Sequence, residues 1–186
     1  MDLPVKQMFR GNLLFIVCCA FYLAWWLLAF RPTGAVRGMK TGWLLIPAFA
    51  AGLAAVLFTL KGIFSAPAQT ALFPGGVLAW GGVAAYLSLL AVTRLLFRRP
   101  ATTELLLIVG WAVLALAEIS ALYGAGRFSH GWAIGFVAVI GVALLLHLVC
   151  YVLYYRLGER ASYIDGMLPL LTSALVMAGI SAAMVI

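Results

Sequence analysis

Apolar residues run along this chain in six blocks, separated by short intervals rich in Arg, Pro, Gly and Thr. The blocks cover approximately residues 12–30, 42–60, 76–97, 104–123, 132–155 and 167–186. A helix crossing the hydrocarbon layer needs about 20 mostly apolar residues, and each block has that length. Lipid offers the backbone no hydrogen-bond partner, so a spanning block of this kind has to be helical. The pattern therefore predicts an all-α integral membrane protein, a six-transmembrane-helix bundle forming one polytopic domain over residues 1–186. The intervals are too short for a separate soluble domain.

The block ends carry helix punctuation. Asn12 and Thr41 are placed to cap the first and second helices, Pro74 suits the opening turn of the third, and Thr103 with Glu104 opens the fourth. Asp165 is read as the cap of the sixth helix, with Pro169 in its first turn, where a missing N–H costs little. Gly124 and Gly158 fall where left-handed C-terminal caps are expected, and Pro32 and Pro100 follow the first and third helices. Pro47 lies inside the second block and predicts a kink or a local loosening. The interval GIFSAPAQTALFPGG, residues 62–76, reads as a loop, with an interfacial half-helix as the alternative.

Composition agrees: 66% of the 186 residues are hydrophobic and 9% charged, against roughly 25% charged in soluble domains. The formal charge of +7 does not point to nucleic acid, because the basic residues lie mostly between apolar blocks. Arg31, Arg37, Lys40, Arg94, Arg98, Arg99, Arg156 and Arg160 fall on one side, and Lys6, Arg10, Lys61 and Arg127 on the other. That asymmetry predicts a cell (inner) membrane protein with the first group cytoplasmic and both termini outside. The first block is longer than a signal-peptide core and lacks an obvious small-residue cleavage site, so it reads as a retained helix. Trp and Tyr cluster towards block ends, as an interfacial belt requires, and Trp111 is deeper. The aromatic-Arg steps in AFRPTG, LFRRPATT and YYRLGER follow from that belt combined with the basic cytoplasmic side.

One residue breaks the pattern. In LALAEISALYG, residues 114–124, Glu118 lies roughly 7 to 8 Å inside the outer end of the fourth helix, too deep to reach water easily. A carboxylate at a helix centre costs about 2.5 to 3.5 kcal/mol even on the lenient insertion scale, so it should face the bundle. Trp111, Ala115, Glu118 and Leu122 share one face. Depth counting adds Ser181, Cys18 or Cys19 at a similar level, Tyr86 somewhat deeper, and Arg127 and His130 at the mouth. Together they predict an outward-facing vestibule with an acid at its base, the alternative being a protonated Glu118 that bonds a neighbouring helix as packing glue.

His147, Tyr151, Tyr154 and Tyr155 form a second polar stripe on the fifth helix, descending to Arg156. Counting residues puts His147 some 15 Å from Glu118, too far for a direct bond. A relay between them would need a water chain past Tyr86, Ser88 or Thr93. Gly75-Gly76, Gly81-Gly82, Gly131-x-x-x-Gly135 and Gly141 suggest close helix approach around the third and fifth helices.

Cys18, Cys19 and Cys150 lie within apolar blocks with no Cys-x-x-Cys spacing, which offers neither a disulfide framework nor a zinc site. His-Glu-x-x-His, Gly-x-Ser-x-Gly and Walker motifs are absent from the sequence, and two histidines make a bis-His haem implausible. No cofactor or metal is expected. The leading expectation is a protein that binds or translocates a small solute or ion at Glu118. A non-catalytic subunit of a larger membrane complex is the alternative; the expected partners are the lipid bilayer, a small-molecule or ion ligand, and a membrane-protein partner or second copy of the chain. A lipid-modifying enzyme using His147, Tyr151 and Arg156 is third.

Overall fold

The computed structural model describes residues 2–30, 41–66, 72–73, 76–97, 103–154 and 156–186. Six α-helices are present among them: α1 (Leu3–Ala29), α2 (Leu45–Ser65), α3 (Val77–Leu96), α4 (Thr103–Gly124), α5 (His130–Leu153) and α6 (Glu159–Val185). A 3₁₀ segment, Thr41–Leu44, leads into α2. All six spans are long and apolar enough to cross a bilayer, and no strand occurs among the described residues. The chain divides into two compact units, Met1–Phe64 with Leu153–Ile186, and Ser65–Val152. The first holds α1, α2 and α6, and the second α3, α4 and α5.

The outer helices start earlier than the apolar pattern indicates. α1 opens at Leu3, with Asp2 in the extended N-cap position and Pro4 in the first turn. Asn12 is therefore no cap but a fully buried mid-helix residue. α6 opens at Glu159 behind an extended Gly158, which is an N-cap rather than a left-handed C-cap. Asp165 is consequently buried inside α6, and Pro169 is an interior proline rather than a first-turn one. The Thr172 hydroxyl donates to Leu168 O at 2.8 Å in the turn that follows Pro169. At 27 residues each, α1 and α6 are roughly 40 Å long, so their polar ends overshoot a hydrocarbon layer of about 30 Å.

The second helix changes character near Pro47: α2 begins only at Leu45, and the turn before it, Thr41–Leu44, is 3₁₀, a local loosening next to the proline. α5 starts at His130 instead of 132, because the Ser129 hydroxyl accepts from Trp132 N–H at 3.4 Å and caps the helix. The left-handed residue closing α4 is Gly126, with φ +67°, two residues beyond Gly124. Its N–H reaches Tyr123 O, while Arg127 and Phe128 N–H both return to Leu122 O. Gly76, with φ +81°, precedes α3. Pro32, Pro74, Pro100 and Tyr155 lie outside the described residues.

Helices in lipid gain little from burying apolar surface against each other and associate through close contact. In the first unit glycines provide it. A methyl on Gly11 would meet Thr59 Oγ1 and lie 2.9 Å from Thr59 N and 3.0 Å from Ala55 O. One on Gly62 would lie 2.8 Å from Pro4 O. The start of α1 thus runs against the end of α2, as antiparallel neighbours must. At its other end α1 meets α6, where Gly166 leaves room for the Trp26 indole and Trp26 Nε1 donates to Tyr163 O at 3.1 Å.

In the second unit Gly82 of α3 faces Val113 of α4, a methyl on that glycine lying 2.6 Å from Val113 Cγ2. Gly81, Gly131, Gly135 and Gly141 have no neighbour within 4 Å, so the expected glycine contacts around α5 are not made among the described residues. Small-residue spacing indicates where backbones are able to approach, and tertiary packing decides which of those faces meets another helix.

Candidate functional site

α4 carries the polar residues of interest on its most enclosed face. Leu105, Val109, Ala112, Ala115, Ile119 and Leu122 are buried beside Trp111 and Glu118, a recurrence at three and four residues that keeps one stripe inward. Glu118 is 0% exposed. It takes part in a hydrogen-bonding or electrostatic interaction, and His147 and Tyr151 each make a hydrogen bond, ring contact or electrostatic interaction. The carboxyl group is thus turned away from the lipid-facing surface, as its desolvation cost demands. It is not at the base of an open vestibule, however: Leu122, one turn nearer the helix end, is fully buried as well.

The structure joins two features that residue counting kept apart. His147, 2% exposed, lies with its ring centroid 4.9 Å from that of Trp111, inclined at 48°. Trp111 is 8% exposed, and its indole N–H has no hydrogen-bond acceptor among the described residues. An unmade bond to a buried donor costs about 1–3 kcal/mol, which makes this an uncommon arrangement. Trp111 lies seven residues from Glu118 along α4, an axial separation of about 10 Å. His147 thus joins the inward face of α4 through Trp111. Tyr151, one turn further along α5, is also buried. Glu118, Trp111, His147 and Tyr151 make a broken polar line along the α4–α5 pair.

The remaining expected residues are distributed differently. Six residues between α3 and α4 reach at most about 20 Å, less than a span, so the two helices run antiparallel. With Gly82 opposite Val113, Tyr86 falls near Val109, some nine residues and about 13 Å from Glu118. Tyr86 thus lies more than two turns from the Glu118 level, because α3 begins near that level, and equal counts from two helix ends are not equal depths in the pair. Thr93 is buried and donates to Leu90 O at 3.2 Å, while Ser88 is exposed, so the three α3 residues do not make a continuous line to Glu118. His130 is the first residue of α5 rather than a turn residue, and its ring lies 5.9 Å from that of Tyr123. Arg127 is exposed in the same α4–α5 connection.

Ser181 belongs to α6 in the first unit, where its hydroxyl donates to Met177 O at 2.8 Å. Tyr154 lies past the end of α5, outside the helical stripe, and its ring is 5.9 Å from that of Trp26 in the first unit. Arg156 is exposed in the turn before α6. Gln7, Asn12 and Thr59 are buried polar residues of the first unit that sequence reasoning missed. The signal for Asn12 was Asp2 with Pro4, a helix start ten residues upstream. No group of three or more His, Cys, Asp or Glu side chains able to hold a metal ion occurs among the described residues.

The six apolar spans make this a polytopic helical membrane protein. Comparison with family models, curated proteins and solved structures returns no match for the chain.

Proposed function

We propose that this protein binds or passes a small solute or ion within the membrane, with Glu118 supplying the charge or accepting a proton. The observation that carries this reading is the full burial of Glu118 on the same α4 stripe as Trp111, whose N–H is unused and whose ring lies 4.9 Å from that of His147. An acid, an idle donor and an imidazole along one helix pair are what a desolvated polar ligand requires, whereas lipid-facing packing requires none of them. In this reading the basic side is cytoplasmic and both termini lie outside. The test is proton and alkali-cation flux through liposomes, followed with ion-sensitive dyes, together with native mass spectrometry for small molecules that copurify. Glu118→Gln should abolish the flux or ligand retention of the wild type while the helical circular-dichroism signal persists. Undiminished transport by that variant sinks the proposal.

A second reading, a non-catalytic subunit of a larger membrane complex, is favoured by the open glycine face of α5. Ser129, Gly131, Trp132, Gly135, Phe136 and Val139 line a shallow groove there, with Phe128 and Trp132 stacked on Phe136. Glu118, already enclosed, is not available to such a partner. A reproducible heteromer in mild detergent supports this reading over the first.

A further inference from the structure

The first unit holds a cleft of about 310 Å³ where the end of α1 meets the start of α6, lined by Trp26, Ala29, Phe30, Tyr154, Glu159, Ser162 and Tyr163. Four of the seven lining residues are aromatic. Trp26 and Phe30 stack with centroids 4.4 Å apart, and Tyr154 inclines towards Trp26. Tyr163 is fixed by the bond its carbonyl accepts from Trp26 Nε1, and its own hydroxyl donates to Leu27 O at 3.4 Å. Glu159, Ser162, Tyr163 and Gly166 follow the i, i+3, i+4, i+7 spacing of one helix face, so α6 presents the carboxylate and the Tyr163 ring together. Glu159 forms no ion pair among the described residues, although Arg160 adjoins it in sequence.

We infer that this cleft receives the headgroup of a zwitterionic phospholipid, its ammonium group held among the rings and against Glu159. Aromatic faces attract an organic cation through their quadrupoles, and a carboxylate at the rim adds a full opposite charge. The phosphate would face the start of α6, whose N-cap Gly158 offers no side-chain cap and whose first turn carries Arg160. Both ends of the headgroup are thereby matched, which a purely basic site for anionic lipid would not achieve. Position argues for lipid over a dissolved amine: the cleft lies where the aromatic end of α1 meets the polar first turns of α6, the level where headgroups reside.

The test uses the full chain in detergent, offered an equimolar mixture of phosphatidylcholine, phosphatidylethanolamine and phosphatidylglycerol with identical acyl chains, and read by native mass spectrometry. The wild type should retain the two ammonium lipids over phosphatidylglycerol by about fivefold. Phe30→Ala, at a side chain 46% exposed, should lower that preference about threefold. Glu159→Gln should bring it near parity and Glu159→Asp should restore part of it, with thermal unfolding unchanged in all three. Equal retention of the three lipids, or variants that keep the wild-type preference, overturns the inference. So does retention of free phosphocholine with no lipid selectivity, which would make the ligand a soluble one.

Discussion

Gly11 and Gly135 are both interior helical glycines, and alanine at each should have different consequences. At Gly135 the new methyl meets nothing within 4 Å. Its main effect is the helix-propensity gain of about 1 kcal/mol that alanine has over glycine. At Gly11 the same gain is opposed by contacts at 2.9 and 3.0 Å to the backbone of α2, and by Thr59 Oγ1. Carbon atoms in ordinary contact sit about 3.5–4.0 Å apart, so α1 and α2 would have to separate by roughly 0.5–1 Å. The obstructing atoms include main chain, which cannot rotate aside, and overpacking of this kind costs about 1–3 kcal/mol. The propensity gain cancels between the two variants, leaving Gly11→Ala less stable than Gly135→Ala by that overpacking cost. Denaturation in mixed micelles by added SDS, followed by circular dichroism, measures this difference directly. Equal midpoints, or a more stable Gly11→Ala, would refute the packing argument and with it the α1–α2 contact.

Gly126→Ala should destabilise by about 1–2 kcal/mol through its left-handed backbone alone, since nothing crowds the position, and Gly126→Asn should cost less. Thermal unfolding of the two variants in parallel checks the order. Trp26→Phe removes the bond to Tyr163 O and should cost about 1 kcal/mol beyond its lost packing; a melting temperature matching the wild type would count against that bond. Trp111→Phe sacrifices no hydrogen bond among the described residues, so its stability loss should be that of a smaller ring alone, while ligand retention or flux falls if the indole N–H serves the ligand. Intact flux in that variant would remove Trp111 from the site.

The hydropathy pattern alone determined that six helices cross a membrane, because an apolar block of about 20 residues has no other stable form in lipid. It also determined that Glu118 turns inward, since no lipid-facing orientation tolerates a deep carboxyl group. Helix ends were less legible. The headgroup region accepts polar helix as readily as loop, so hydropathy stops at the hydrocarbon edge while α1 and α6 continue to Leu3 and Glu159. Moving those ends converted Asn12, Asp165 and Pro169 from terminal to interior residues and displaced every depth counted from them. Only the tertiary structure decided which partners met: His147 against Trp111, Trp26 against Gly166, and Gly11 rather than Gly135 against another helix. In lipid all apolar faces are nearly equivalent, so the choice among them is made by shape at contact distance, which a one-dimensional pattern does not contain.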